Sequence, residues 1–261
     1  MDEPVKVKKE GEVAVLLLNR PEKFNAFDLD LIEQFENHLI SLAVDNKVRA
    51  VVISGEGKAF CAGGDLKWML EYPQGPHAAI HQLAARFHKA VSEIRRMNKP
   101  VIAAVNGIAA GGGFSLALAC DFRVMARSAI LRQAYTSSGL TLNGGGTFTL
   151  PRLVGLARAL EIVAFDKPIS SEQALAWGLA TKVVDDGQAL EEAIKMAHQL
   201  SSISLNAFGL SKKLLTDSFD TSFETQLERE REGIRECAAH PEGKEGIKAF
   251  TEKRKPTFKS Q

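Results

Sequence analysis

The chain has 261 residues, 45% of them apolar, with 33 Lys and Arg against 32 Asp and Glu. That length suits one large domain, or a domain with an appended module, built on a sizeable core. The near balance of charge removes the electrostatic case for nucleic acid or an anionic membrane as partner.

The three cysteines, Cys61, Cys120 and Cys237, have neither metal nor redox spacing and fit a reducing compartment. The N-terminal stretch begins acidic and lacks a signal-peptide core, so a cytoplasmic location is expected.

Val13 to Leu18 is a continuous apolar run closed by Asn19, Arg20 and Pro21, which predicts a buried strand. Leu31, Ile32, Phe35, Leu39 and Leu42 fall at helical spacing, predicting a helix over Asp28 to Leu42 with Asp28 as N-cap. Ala50 to Ser54 predicts a second buried strand. A loop, KAFCAGGDLKWMLEYPQGP, then leads to a helix near His77 to Met97. Val101 to Val105 predicts a third strand, Gly111 to Ala119 a helix after a glycine turn, and DFRVMA a fourth strand. The uncharged stretch VIAAVNGIAAGGGFSLALAC is long enough to span a bilayer. Asn106 and the glycine cluster interrupt it and favour strand, turn and buried helix. After Asn143 the pattern is helical, and FETQLEREREGIREC reads as a solvated helix face. Strands alternating with helices predict an α/β core, here carrying a helical C-terminal third.

Two glycine-rich turns follow buried strands: CAGGD after Ala50–Ser54 and AAGGG after Val101–Val105. Without side chains, backbone N–H groups stay open to a ligand, and a helix N-terminus adds unpaired donors and a positive dipole end. Two such turns side by side suit an oxyanion, and the same glycines also suit tight strand–helix packing. Neither cluster completes a dinucleotide or phosphate-loop motif, and no G-x-S-x-G is present. His77 and His81 lie four apart with no third ligand fixed beside them, so no metal is expected. Trp68, Phe114 and Tyr135 suggest an aromatic wall for a bulky or cyclic group, although large aromatics more often fill cores.

In order along the chain, LNRPEKFNAF, FCAGGDLKWM, KPVIAAVNGIAAGGGFSLALACD, GGGTFTLPRLVG, ISSEQALAWGLATKVV and EGIKAFTEKRKPTF resemble the crotonase superfamily, also called the enoyl-CoA hydratase/isomerase family. The resemblance implies a crotonase-like spiral of ββα units over residues 1–200. It further implies a helical trimerisation region over 201–261, with trimers commonly stacked into hexamers. It implies an acyl-CoA thioester as substrate, with coenzyme A part of that substrate and no other cofactor. By the same carry-over, the N–H groups of Gly64 and Gly112 hold the thioester oxygen. Lys23, Phe24, Ala26, Ala62, Asp65 and Leu66 lie along the CoA moiety, and Phe250 and Lys253 reach a neighbouring subunit's CoA.

The chain departs from the pattern at its acids. The resemblance places the two hydratase glutamates at Ser115 and Tyr135, and the single carboxylate of many isomerases at Asn143. Ser and Asn are no bases, and Tyr is protonated at neutral pH. An acyl-CoA enzyme of the hydratase/isomerase type is the expectation, and three readings of its chemistry follow. One is a hydratase or isomerase with a relocated base, such as Glu71 turned inward. The second is a decarboxylase, whose enolate needs no base. The third is an acyl-CoA-binding protein without chemistry.

Overall fold

The continuous apolar runs become the central strands of a six-stranded sheet. The structure, a computed structural model, describes residues 3–258. The sheet contains β1 (Val5–Glu10), β2 (Val13–Leu18), β3 (Ala50–Gly55), β5 (Val101–Val105), β7 (Phe122–Ala126) and β10 (Lys182–Val184), in that spatial order. Its pairings are parallel except for the β1–β2 hairpin. Both faces are covered, which is why β2 and β3 read as unbroken apolar runs rather than alternating ones. Val13, Val15, Leu17, Val52, Ile102 and Val124 pack under α8 (Ala189–Ser201), which presents Ala193 and Ala197. Leu16, Leu18, Val51, Ile53, Ala103 and Val105 join the larger core with α1 (Leu29–Val44) and α3 (Pro76–Arg96). Asp28 caps α1 by accepting the Leu31 N–H at 3.0 Å, as its position predicts.

A second sheet, absent from the sequence reading, holds β4 (Ala59–Cys61), β6 (Ile108–Ala110), β8 (Ile130–Arg132) and β9 (Ile169–Ser170). Successive strands β3/β4, β5/β6 and β7/β8 thus divide between the two sheets, and the chain winds as a spiral. The stretch expected to be a loop between Ala50–Ser54 and His77 accordingly contains β4 and a short helix, α2 (Leu66–Leu70). Every residue of α4 (Gly112–Ala119) is buried, as a helix that is apolar apart from Ser115 demands. Among the described residues no helix is long and apolar enough to cross a membrane.

The remaining helices are α5 (Gly146–Val154), α6 (Leu156–Phe165), α7 (Ser171–Ala176), α9 (Leu205–Asp217), α10 (Phe223–Ala239) and α11 (Pro241–Thr251). Two buried cations tie the last of these to the core. Arg49 donates to the Ser201 and Ile203 carbonyls at 2.6 and 2.8 Å and lies 3.6 Å from Glu242. Lys212 donates to the Ile94 carbonyl at 2.7 Å and to Asp121 at 2.8 Å. Asp121 also accepts the Val101 N–H at the start of β5, at 2.9 Å.

Candidate active site

The segment after β2 is shaped by Pro21, which opens a single 3-10 turn over Pro21–Lys23. Phe24 and Asn25 then adopt left-handed backbone, with φ of 50° and 56°. Asn25 stabilises that conformation from full burial. Its Nδ2 donates to the Glu56 and Ala59 carbonyls at 3.0 and 2.8 Å, and its Oδ1 accepts the Arg20 N–H at 2.9 Å. Arg20 donates to the Ala26 carbonyl at 2.7 Å and pairs with Asp28 at 3.0 Å and Asp65 at 3.3 Å. Lys23 and Phe24 are left exposed while Ala26 and Phe27 turn inward.

This segment is joined to the first glycine turn. Ala62 N–H donates to the Phe24 carbonyl at 3.0 Å, Phe27 N–H to Gly63 at 2.6 Å, and Asp65 N–H to Phe27 at 2.9 Å, forming a parallel bridge between Phe27 and Gly64. Asp65 also caps α2 by accepting the Trp68 N–H at 3.1 Å. Underneath, the Cys61 thiol donates to the Asn25 carbonyl at 3.2 Å and accepts the Gly63 N–H at 3.3 Å. Burial pushes that thiol up to about 12, so it is an inert brace and not a nucleophile.

The two glycine turns touch. Gly63 has φ of 94°, and a Cβ there would stand 2.8 Å from the Gly112 nitrogen and 2.9 Å from the Ala110 oxygen. Only glycine allows both the conformation and the approach. Gly64 and Gly112 line one cavity, and among the described residues neither N–H is donated to a partner within the chain. Gly112 opens α4, so its amide stands at the positive end of that helix.

The cavity has a volume of about 180 Å³ and mostly apolar walls, including Phe27, Ile32, Met69, Leu83 and Phe87. The Phe27 and Phe87 rings meet at 5.2 Å in a tilted pair. Its polar side chains are Tyr135, Ser138 and Asn143. No lining residue among those described carries a carboxylate, imidazole, amine or guanidinium. Burial raises the Tyr135 phenol to about 12, outweighing the lowering effect of its Ser115 hydrogen bond. Tyr135 therefore enters neutral solution as a proton donor, not a base.

The structure brings Gly64, Gly112, Tyr135, Asn143, Ala62 and Leu66 to this cavity, with Lys23, Phe24, Ala26 and Asp65 on the bridged segments beside it. Ser115 is fully buried behind the wall. Its hydroxyl donates to the Asn143 carbonyl at 2.6 Å and lies 3.3 Å from the Tyr135 hydroxyl. Of the expected aromatic wall, Tyr135 lines the cavity and Phe114 and Trp68 do not. Phe114 is wholly in the core, and Trp68 packs on Tyr72 at 5.1 Å outside the lining. Glu71 does not turn inward; it is exposed, 3.9 Å from Lys67. Phe250 and Lys253 are exposed near the end of α11 and do not line the cavity. Sequence reasoning missed Phe27, Met69 and Phe87 as lining residues, because at helix and strand spacing they look like ordinary core. Asn25 carried a usable hint, since Asn tolerates left-handed backbone in a turn after Pro. Among the described residues no group of three or more His, Cys, Asp or Glu is placed to hold a metal ion.

The sequence profile described as Enoyl-CoA hydratase/isomerase matches residues 8–261. The chain is 36% identical over 250 residues to 1,2-epoxyphenylacetyl-CoA isomerase of Escherichia coli (strain K12), covering 95% of each chain. It is 35% identical to crotonyl-CoA hydratase of Syntrophomonas wolfei, covering 99% of each. The crystal structure of an enoyl-CoA hydratase from Polaromonas sp. JS666 superposes with a TM-score of 0.93 at 37% identity, over 98% of this chain and 99% of that one.

Proposed function

The chain belongs to the enoyl-CoA hydratase/isomerase family, and from that premise we propose that it processes acyl-CoA thioesters by forming an enolate without a carboxylate base. The thioester oxygen lies between the Gly64 and Gly112 N–H groups, and the CoA moiety follows the bridged Lys23–Ala26 and Ala62–Leu66 segments. Two unspent amide donors, one of them at a helix N-terminus, stabilise the negative charge that develops on that oxygen.

The observation that carries the finer reading is the cavity wall, which offers a protonated phenol and no base. Hydration by two carboxylates does not run on such a wall, and a base-driven double-bond shift has no acceptor for the α-proton. Loss of CO₂ from a 2-carboxyacyl thioester does fit. The C–C bonding pair flows into the enolate, CO₂ leaves, the Tyr135 O–H delivers a proton to the α-carbon, and solvent returns one to the phenolate. The net reaction consumes one proton, which suits a site with a donor and no acceptor.

A panel of acyl-CoA thioesters, including crotonyl-CoA and methylmalonyl-CoA, read by mass spectrometry tests both levels. Turnover with loss of CO₂ is expected. No turnover of any thioester leaves only a binding function. Rapid hydration of crotonyl-CoA, unchanged in Tyr135→Phe, overturns the base-free reading.

A further inference from the structure

Asn143 lines the cavity, and its side chain reaches out to His88 on α3, which lines an outer groove. Its backbone carbonyl is fixed twice, by Ser115 Oγ at 2.6 Å and by the Gly146 N–H at 3.1 Å. Its side-chain Oδ1 lies 2.6 Å from His88 Nε2. An amide oxygen only accepts, so Nε2 carries the proton and donates. Oδ1 and Nδ2 share one carbon, so an oxygen held outward turns the NH₂ away from His88. That NH₂ has no partner among the described residues, and it is not one of the buried polar atoms left without one.

We propose that His88 is a positioning residue that holds Asn143 as a hydrogen-bond donor into the cavity, and that the site thereby selects acyl groups bearing an oxygen acceptor, such as a carboxylate or an oxo group. The inference rests on the acyl-CoA reading above and deepens it. Tyr135 stands on the same side of the site, but its O–H rests on Ser115 Oγ at 3.3 Å, because the Ser115 proton is spent on the Asn143 carbonyl, and must turn from it to reach a ligand. Ser138 adds little, because its hydroxyl is already directed to the Ala134 carbonyl at 3.2 Å. An acyl group without an acceptor leaves the Asn143 NH₂ unpaired in an apolar cavity, and that asymmetry is the source of discrimination. His88 itself is exposed, so replacing it leaves the core packing intact.

The test compares 3-oxobutanoyl-CoA with butanoyl-CoA, which differ only in the oxygen at C3, and succinyl-CoA with 4-methylpentanoyl-CoA, in which an isopropyl group of the same shape replaces a carboxylate that is not on the α-carbon and so is not lost as CO₂. Dissociation constants are measured by calorimetry on the wild-type protein, His88→Leu and His88→Gln. The wild type is expected to prefer the acceptor-bearing member of at least one pair by about tenfold, the effect of one hydrogen bond. His88→Leu should bring that ratio close to one. His88→Gln, whose amide also donates, should restore it, which a merely structural role for the ring would not do. Equal affinity within both pairs in the wild type, an undiminished ratio in His88→Leu, or no rescue by His88→Gln overturns the proposal while leaving the acyl-CoA reading in place. If none of the four thioesters binds, the acyl-CoA reading itself fails, and this proposal with it.

Discussion

Tyr135 keeps its proton because burial disfavours the phenolate more than the neighbouring hydrogen bonds favour it. The folded state therefore binds that proton more tightly than the unfolded chain does. The resulting stabilisation is complete below the ordinary phenol value of 10 and is lost as pH rises through about 12. In a Tyr72→Phe background, which leaves one tyrosine, phenolate absorbance is expected to appear near pH 12; a midpoint at the ordinary value would show the phenol to be solvated. Asn143 offers the converse experiment. It already lines the cavity, whereas Ser115 sits behind the wall, so Asn143→Asp is the smallest change that brings a carboxylate to the site. Because a positioned base contributes roughly a hundredfold or more, the variant should acquire measurable conversion of 3-enoyl-CoA to 2-enoyl-CoA, followed by ultraviolet absorbance. Absence of any gain would mean that the α-carbon does not face Asn143. At this scale the sequence exposed the glycines and the missing acids, because both are matters of residue type. It did not expose His88, whose distance from Asn143 along the chain gives no local pattern, nor the inward turn of Phe27, which depends on Arg20 and Asn25 folding the segment before it.

The glycine turn and α4 work as one element, and proline and alanine separate their two roles. A Cβ at position 112 would lie 3.0 Å from the Phe27 ring, so both substitutions crowd the same neighbour. Only proline removes the N–H, and at the first position of a helix its φ is otherwise acceptable. Gly112→Pro is expected to lose a hundredfold or more in rate relative to Gly112→Ala, with circular dichroism showing that both remain folded. Equal rates would make Gly112 a packing glycine alone. The elements legible in the sequence were the unbroken apolar runs of β2, β3 and β5 with DFRVMA as β7, the periodic α1 and α3, and α4 after its glycine turn. The second sheet escaped because β4, β6 and β8 have three residues each, too few for alternation to register. β1 escaped for another reason: as an edge strand it exposes most of VKVKKE, so it lacks the apolar run that marked its partner.

Across the whole molecule, apolar side chains remain exposed on the C-terminal helices, among them Leu215, Phe223, Leu227, Ile234, Ile247 and Phe250. Leu156, Leu160 and Phe165 add a second group on α6. Patches of this kind favour association, and light scattering is expected to give a trimer or hexamer; a monomer at every concentration would contradict this. The ties between these helices and the core bear on how the chain is made. A nascent polypeptide leaves the ribosome N-terminus first. Asp121, half-buried beside the start of β5, waits for Lys212 to neutralise it, and Arg49 waits for Glu242. A chain arrested before residue 205 would hold the whole spiral yet lack α9, leaving Asp121 without its cation and the face that α9 covers open to solvent. Protease digestion of such stalled chains should find them open until α9 has emerged, so the step that closes the core comes near the end of synthesis.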